Sequence, residues 1–118
     1  VESTDTEKEA ELMASKIASL RIFPDENDKM NLSVTDVDGE ILAVSNFTLC
    51  ADASHGRRPS YSNAMRPEGA NVLYEKFCDA LLKNDVRKVE KGVFGGDMKV
   101  TLTNDGPITL ILDTAIWS

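Results

Sequence analysis

Asn104-Asp105-Gly106-Pro107-Ile108-Thr109 joins a small polar cluster to a β-branched run that continues through Leu110-Ile111-Leu112. Its counterpart is Ser45-Asn46-Phe47-Thr48-Leu49, which follows the apolar run Ile41-Leu42-Ala43-Val44. Gly106-Pro107 stands between two expected strands, Met98 to Leu102 before it and Ile108 to Leu112 after it. Proline has no N–H to give a ladder and fixes φ, so the pair interrupts a sheet with a rigid turn. Such a turn can aim backbone carbonyls at a ligand.

Working outward, Ala10, Met13, Ile17 and Leu20 recur at helical spacing and predict an amphipathic helix from about Thr6 to Leu20. Thr4-x-x-Glu7 and Thr6-x-x-Glu9 both have the form of a capping box at its start. Leu32-Ser33-Val34-Thr35-Asp36-Val37 alternates with period two, and Asp38-Gly39 is a hairpin signal leading into Ile41 to Val44. Residues Ala51 to Arg66 read as a long loop. Pro67-Glu68 fits the first turn of a second helix, with Val72, Leu73, Phe77, Ala80 and Leu81 as its apolar stripe. Val86 to Val93 is a further expected strand, separated from Met98 to Leu102 by Phe94-Gly95-Gly96-Asp97. The expected fold class is α+β, with a mainly antiparallel, barrel-like sheet and two helices.

A length of 118 residues supports one domain over residues 1–118. A net charge of −7 argues against a broad electrostatic grip on nucleic acid, though not against a local basic patch. Cys50 and Cys78 are too few for a disulfide framework and are expected as buried, reduced thiols. No run is long and apolar enough to span a membrane, so no membrane partner and a cytoplasmic location are expected.

Conventional catalytic equipment is sparse. The single histidine, His55, lies in a loop beside Gly56, Arg57 and Arg58, and an exposed loop is its ordinary setting. No ordering of residues indicates a catalytic triad, a zinc site or a phosphate-binding glycine loop. No cofactor and no metal are expected. His55-Gly56-Arg57-Arg58 is either a solvated charged loop or a phosphate contact, since arginine binds phosphate through paired hydrogen bonds. Arg87, Lys88 and Lys91 form a weaker basic cluster on a strand edge.

Taken together, these motifs resemble the D-aminoacyl-tRNA deacylases (the D-Tyr-tRNA(Tyr) deacylase family). That family carries Ser-Gln-Phe-Thr-Leu and Asn-x-Gly-Pro-Val-Thr, matched here by Ser45 to Leu49 and Asn104 to Thr109. Gly56-Arg57-Arg58-Pro59-Ser60-Tyr61, Phe94-Gly95-Gly96-Asp97-Met98 and Leu20-Arg21-Ile22-Phe23 also match, so the resemblance covers nearly the whole chain. Asn46 replaces the family's usual Gln. The family also begins with an N-terminal β-region, and Val1 corresponds to the point just before the family's first helix. The chain is therefore expected to be a fragment without those strands, or a chain whose N-terminal segment is not included in this sequence.

The resemblance implies hydrolysis of the ester joining a D-amino acid to the terminal adenosine of tRNA, by a homodimer with its sites at the interface. Ser45, Asn46, Phe47 and Thr48 would line the reacting end, with backbone N–H groups around Asn46 and Phe47 receiving the oxyanion. Thr48 would position water or act as nucleophile; no base stands near it in the motif, which favours positioning. Phe94 and Met98 would hold the adenine, and Arg57 and Arg58 would contact tRNA phosphate. Gly106-Pro107, cis in the family, would enter the partner's site as a chiral filter, supported by Asn104 and Thr109. A filter that only excludes an L side chain does not exclude glycine, so glycyl-tRNA is an expected substrate too. The alternatives are a nucleic-acid-binding protein or a catalytically inactive one on the same fold.

Overall fold

The computed structural model describes residues 1–117. Helix α1 (Glu7–Ser19) leads into a short antiparallel pair, β1 (Phe23–Pro24) with β2 (Met30–Leu32). Strand β3 (Glu40–Ala43), a 3-10 turn (Phe47–Cys50), helix α2 (Pro67–Lys83) and strand β4 (Lys88–Lys91) follow, and a second 3-10 turn spans Thr114–Ile116. The α+β class with two helices agrees with the sequence expectation.

Helix α1 starts where its chemistry allows. Glu9 reaches back to accept the Thr6 backbone N–H at 2.7 Å and the Thr6 hydroxyl as well. Of the two expected capping boxes, only this one forms, because Glu7 is taken by Lys76 of α2 at 2.8 Å. Proline opens α2, where its missing N–H costs nothing. The helices close on each other through small residues, with Ala14 and Ala18 against Ala80 and the fully buried Leu81. Val34 and Val86 complete that cluster, and Ile17, Phe23, Ile41, Phe77 and Val89 pack around it.

The strand pairing differs from the expectation in three places. Asp38-Gly39 does not turn a hairpin. The Ser33 N–H donates to the Asp36 carboxylate at 2.9 Å, and the Asp36 N–H returns to Ser33 Oγ at 3.2 Å. Local side-chain bonds of this kind compete with a ladder, so residues 33–39 coil into a turn closed by the Gly39 N–H on Val34 O at 2.8 Å. A Cβ on Gly39 would stand 2.9 Å from Val34 Cγ2, so this close approach requires glycine.

Secondly, β3 pairs with β4 in parallel, Glu40 opposite Lys88 through Ala43 opposite Lys91. Parallel neighbours need a long crossover, and α2 supplies it. Lastly, Met98 to Leu102 and Ile108 to Leu112 run outside any ladder. Among the described residues no neighbouring strand pairs with them, and Val100, Leu102, Leu110 and Ile111 are exposed. A β-branched run becomes a strand only when a neighbour takes its backbone groups.

Candidate functional site

Because β3 and β4 are parallel, their carboxyl ends lie on the same side, and the chain leaves both there. Crevices at the carboxyl ends of parallel strands are common ligand sites. Val44-Ser45-Asn46 continues β3, and Gly92-Val93-Phe94 continues β4. The two arms border a groove of about 640 Å³, and Ser45, Asn46, Phe47, Phe94 and Met98 all line it. Five expected site residues from two distant parts of the sequence are thus brought together.

The first arm is shaped by Asn46. Its Oδ1 accepts the Thr48 N–H at 3.1 Å and the Thr48 hydroxyl at 2.6 Å, which caps the 3-10 turn Phe47–Cys50. Asparagine makes this compact turn readily because its carbonyl reaches the backbone two residues on. The N–H groups of Asn46 and Phe47 make no hydrogen bond among the described residues. The Thr48 hydroxyl has its proton committed to Asn46, and Thr48 itself is exposed and does not line the groove.

The second arm turns at Val93 to Gly96, where the Gly96 N–H donates to Val93 O at 2.9 Å. Met98 folds back so that its Sδ accepts the Val93 N–H at 3.3 Å. Gly92 makes room for that fold, since a Cβ there would lie 2.8 Å from Met98 Sδ. Phe94 is half-buried and packs on Tyr74 of α2, with ring centroids 5.9 Å apart.

Tyr61, Arg66 and Asp97 also line the groove and were not singled out as site residues from the sequence. Tyr61 meets Phe47 edge-on at a centroid distance of 5.1 Å. Its place at the end of the Gly56-to-Tyr61 motif was a signal that could have found it. The position of Arg66 immediately before the helix-opening Pro67 was another.

Gly106, Pro107, Asn104 and Thr109 form a separate exposed loop that does not line this groove. The Gly106–Pro107 peptide is cis, and Gly106 has φ of +139°, a region that disfavours a side chain. Asn104 Oδ1 accepts the Ile108 N–H at 3.2 Å, and its Nδ2 donates to Thr109 Oγ1 at 3.0 Å.

Arg57 and Arg58 also lie away from the groove, on an exposed loop closed by paired Asp52–Ser60 backbone bonds of 2.8 Å each. Hydrogen bonds from Ser54 hold the Asp52 carboxyl below its ordinary range. The second basic cluster is neutralised: Arg87 pairs with Glu40 at 3.2 Å, Lys88 with Glu90 at 3.3 Å and Lys91 with Glu75 at 2.6 Å. Cys78 is buried, as expected, whereas Cys50 is only partly covered; both are unpaired. Burial pushes the Cys78 thiol above its ordinary range. No group of three or more potential ligand residues is placed to hold a metal ion among the described residues.

The family model for D-Tyr-tRNA(Tyr) deacylase matches residues 1–113. The chain belongs to the D-Tyr-tRNA(Tyr) deacylase family. A relative in this deacylase family, a D-aminoacyl-tRNA deacylase of Thermosipho melanesiensis, is 54% identical over 114 residues, which is 97% of this chain and 76% of that protein. A Bacillus subtilis protein named an inactive D-aminoacyl-tRNA deacylase is 54% identical over 110 residues, 93% of this chain and 83% of its own. Among solved structures, a c-Myc DNA unwinding element binding protein superposes with a TM-score of 0.87 at 40% identity, covering 96% of this chain and 76% of that one.

Proposed function

We propose that this chain, as a single deacylase domain, hydrolyses the ester bond of D-aminoacyl-tRNA and of glycyl-tRNA, releasing the free amino acid and tRNA. The observation that carries the reading is the parallel β3–β4 pair, which turns Ser45 to Phe47 and Phe94 to Met98 into the two walls of one groove in a chain of the deacylase family. Phe94 and Met98 offer an apolar wall to the terminal adenine. The unused N–H groups of Asn46 and Phe47 are suited to receive the oxyanion as water adds to the ester carbonyl. The carbon–oxygen bond to the ribose then breaks, and the ribose hydroxyl takes a proton. Thr48 orients the segment and is not the nucleophile, because its proton is held by Asn46 and no base adjoins it.

In this reading Gly106-Pro107 works in trans as the chiral filter of a homodimer, which accounts for its standing outside the groove of its own chain. Arg57 and Arg58 meet tRNA phosphates, and the protein acts in the cytoplasm. Release of labelled D-tyrosine from D-tyrosyl-tRNA tests the activity; a rate equal to spontaneous hydrolysis overturns it.

A second reading has specific support. One relative is named inactive and one solved neighbour is named for DNA binding, so an inactive or nucleic-acid-binding protein on this fold is the alternative. Salt-sensitive binding of duplex DNA by a protein that releases no D-tyrosine would favour it.

A further inference from the structure

The geometry points to Tyr74 as a positioning residue: its hydroxyl on Ala43 O, and its ring on Phe94, hold the two walls of the groove at a fixed separation. The inference rests on the deacylase reading for its kinetic consequence, though not for its structural one.

Ala43 is the last residue of β3, two residues before Ser45. Its carbonyl is a branch point. It accepts the Gly92 N–H at 3.0 Å, the first bond beyond β4, and the Tyr74 hydroxyl at 2.6 Å. From this point one arm runs on to Ser45 and Asn46 and the other to Phe94 and Met98. Tyr74 comes from the middle of α2, the crossover between the two strands, and is buried to 6% exposure. The same ring that places the hydroxyl on Ala43 packs on Phe94. Phenylalanine would satisfy the packing equally well, so a buried hydroxyl at this position serves the carbonyl. Burial also pushes the phenol above its ordinary range.

A substrate that spans the groove, with its ester at the first arm and its adenine at the second, depends on that separation. Small misplacements of reacting groups are costly in rate. Losing the hydroxyl leaves Ala43 O with the Gly92 bond, so the fold survives and the arms loosen.

Tyr74→Phe tests this. The expected result is a fall in kcat on D-tyrosyl-tRNA of about three- to tenfold, with KM within about twofold of the parent. Amide hydrogen exchange should quicken over residues 44–49 and 92–98 and stay unchanged in α1 and in β1–β2. A change in kcat below twofold in an active protein, or exchange that is unaltered or rises evenly along the chain, overturns the inference. If the parent protein releases no D-tyrosine, the deacylase reading fails by itself. The local exchange pattern then decides the role of Tyr74.

Discussion

Asn104 and Thr109 are joined across the Gly106–Pro107 turn by a 3.0 Å hydrogen bond from Asn104 Nδ2 to Thr109 Oγ1. The other end of the Asn104 amide takes the Ile108 N–H at 3.2 Å, so one side chain braces both the side-chain and the backbone partner of an otherwise exposed loop. Asn104→Ala removes both bonds. The loop is exposed, so stability should fall by no more than ~1 kcal/mol. Deacylation of D-tyrosyl-tRNA should fall by about tenfold, the scale of losing roughly 1.4 kcal/mol of transition-state stabilisation. Thermal melting and single-turnover kinetics on the same preparation check the pair of outcomes.

Arg57 and Arg58 stand in the open on a loop closed by the Asp52–Ser60 bonds. If they neutralise two phosphates, replacing both with alanine should reduce the slope of log K against log salt for tRNA binding by roughly 1.4 to 1.8. Release of D-tyrosine at saturating tRNA should be unchanged. Titrations at several salt concentrations measure the slope.

Leu81 is fully buried between the helices, in a cluster otherwise rich in alanine. Leu81→Ala leaves a cavity that its small neighbours have no side-chain atoms to fill. A loss of about 2–5 kcal/mol is expected in urea unfolding. A loss below 1 kcal/mol would show that α1 and α2 do not meet as described.

The start of α1 carries an acid-sensitive contact. Hydrogen bonding from Thr6 holds the Glu9 carboxyl below its ordinary value of 4.5. A folded-state value below the unfolded one contributes stability above about that pH, lost as pH falls through the folded value. Unfolding midpoints should therefore decline below pH 4.5, and Glu9→Gln should flatten that part of the decline. Urea titrations at pH 7, 5 and 3.5 read the difference.

Much of this was legible because it is local. Both helices follow from apolar spacing, and Pro67 marks the start of α2. The misread segments depend on competition or on distant partners. Ser33 and Asp36 draw an alternating stretch into a turn through two short-range bonds. The parallel union of β3 with β4 joins residues nearly fifty apart, and no period in either segment encodes the direction of its neighbour. The length of the connection and its helix were the available signs. The motifs pointed to Ser45 to Phe47, Phe94 and Met98, which line one groove, but not to the hydrogen bond from the Tyr74 hydroxyl to Ala43 O, because an aromatic on an apolar helix face reads as ordinary core.

A deacylase that tells substrates apart by the space at the α-carbon would accept D-tyrosine and glycine and refuse L-tyrosine. The most direct test places D-tyrosyl-, L-tyrosyl- and glycyl-tRNA side by side with the same protein. Rapid release of D-tyrosine and glycine is expected, with release of L-tyrosine no faster than in buffer. Equal release of both tyrosine enantiomers, or glycine as inert as L-tyrosine, would contradict it.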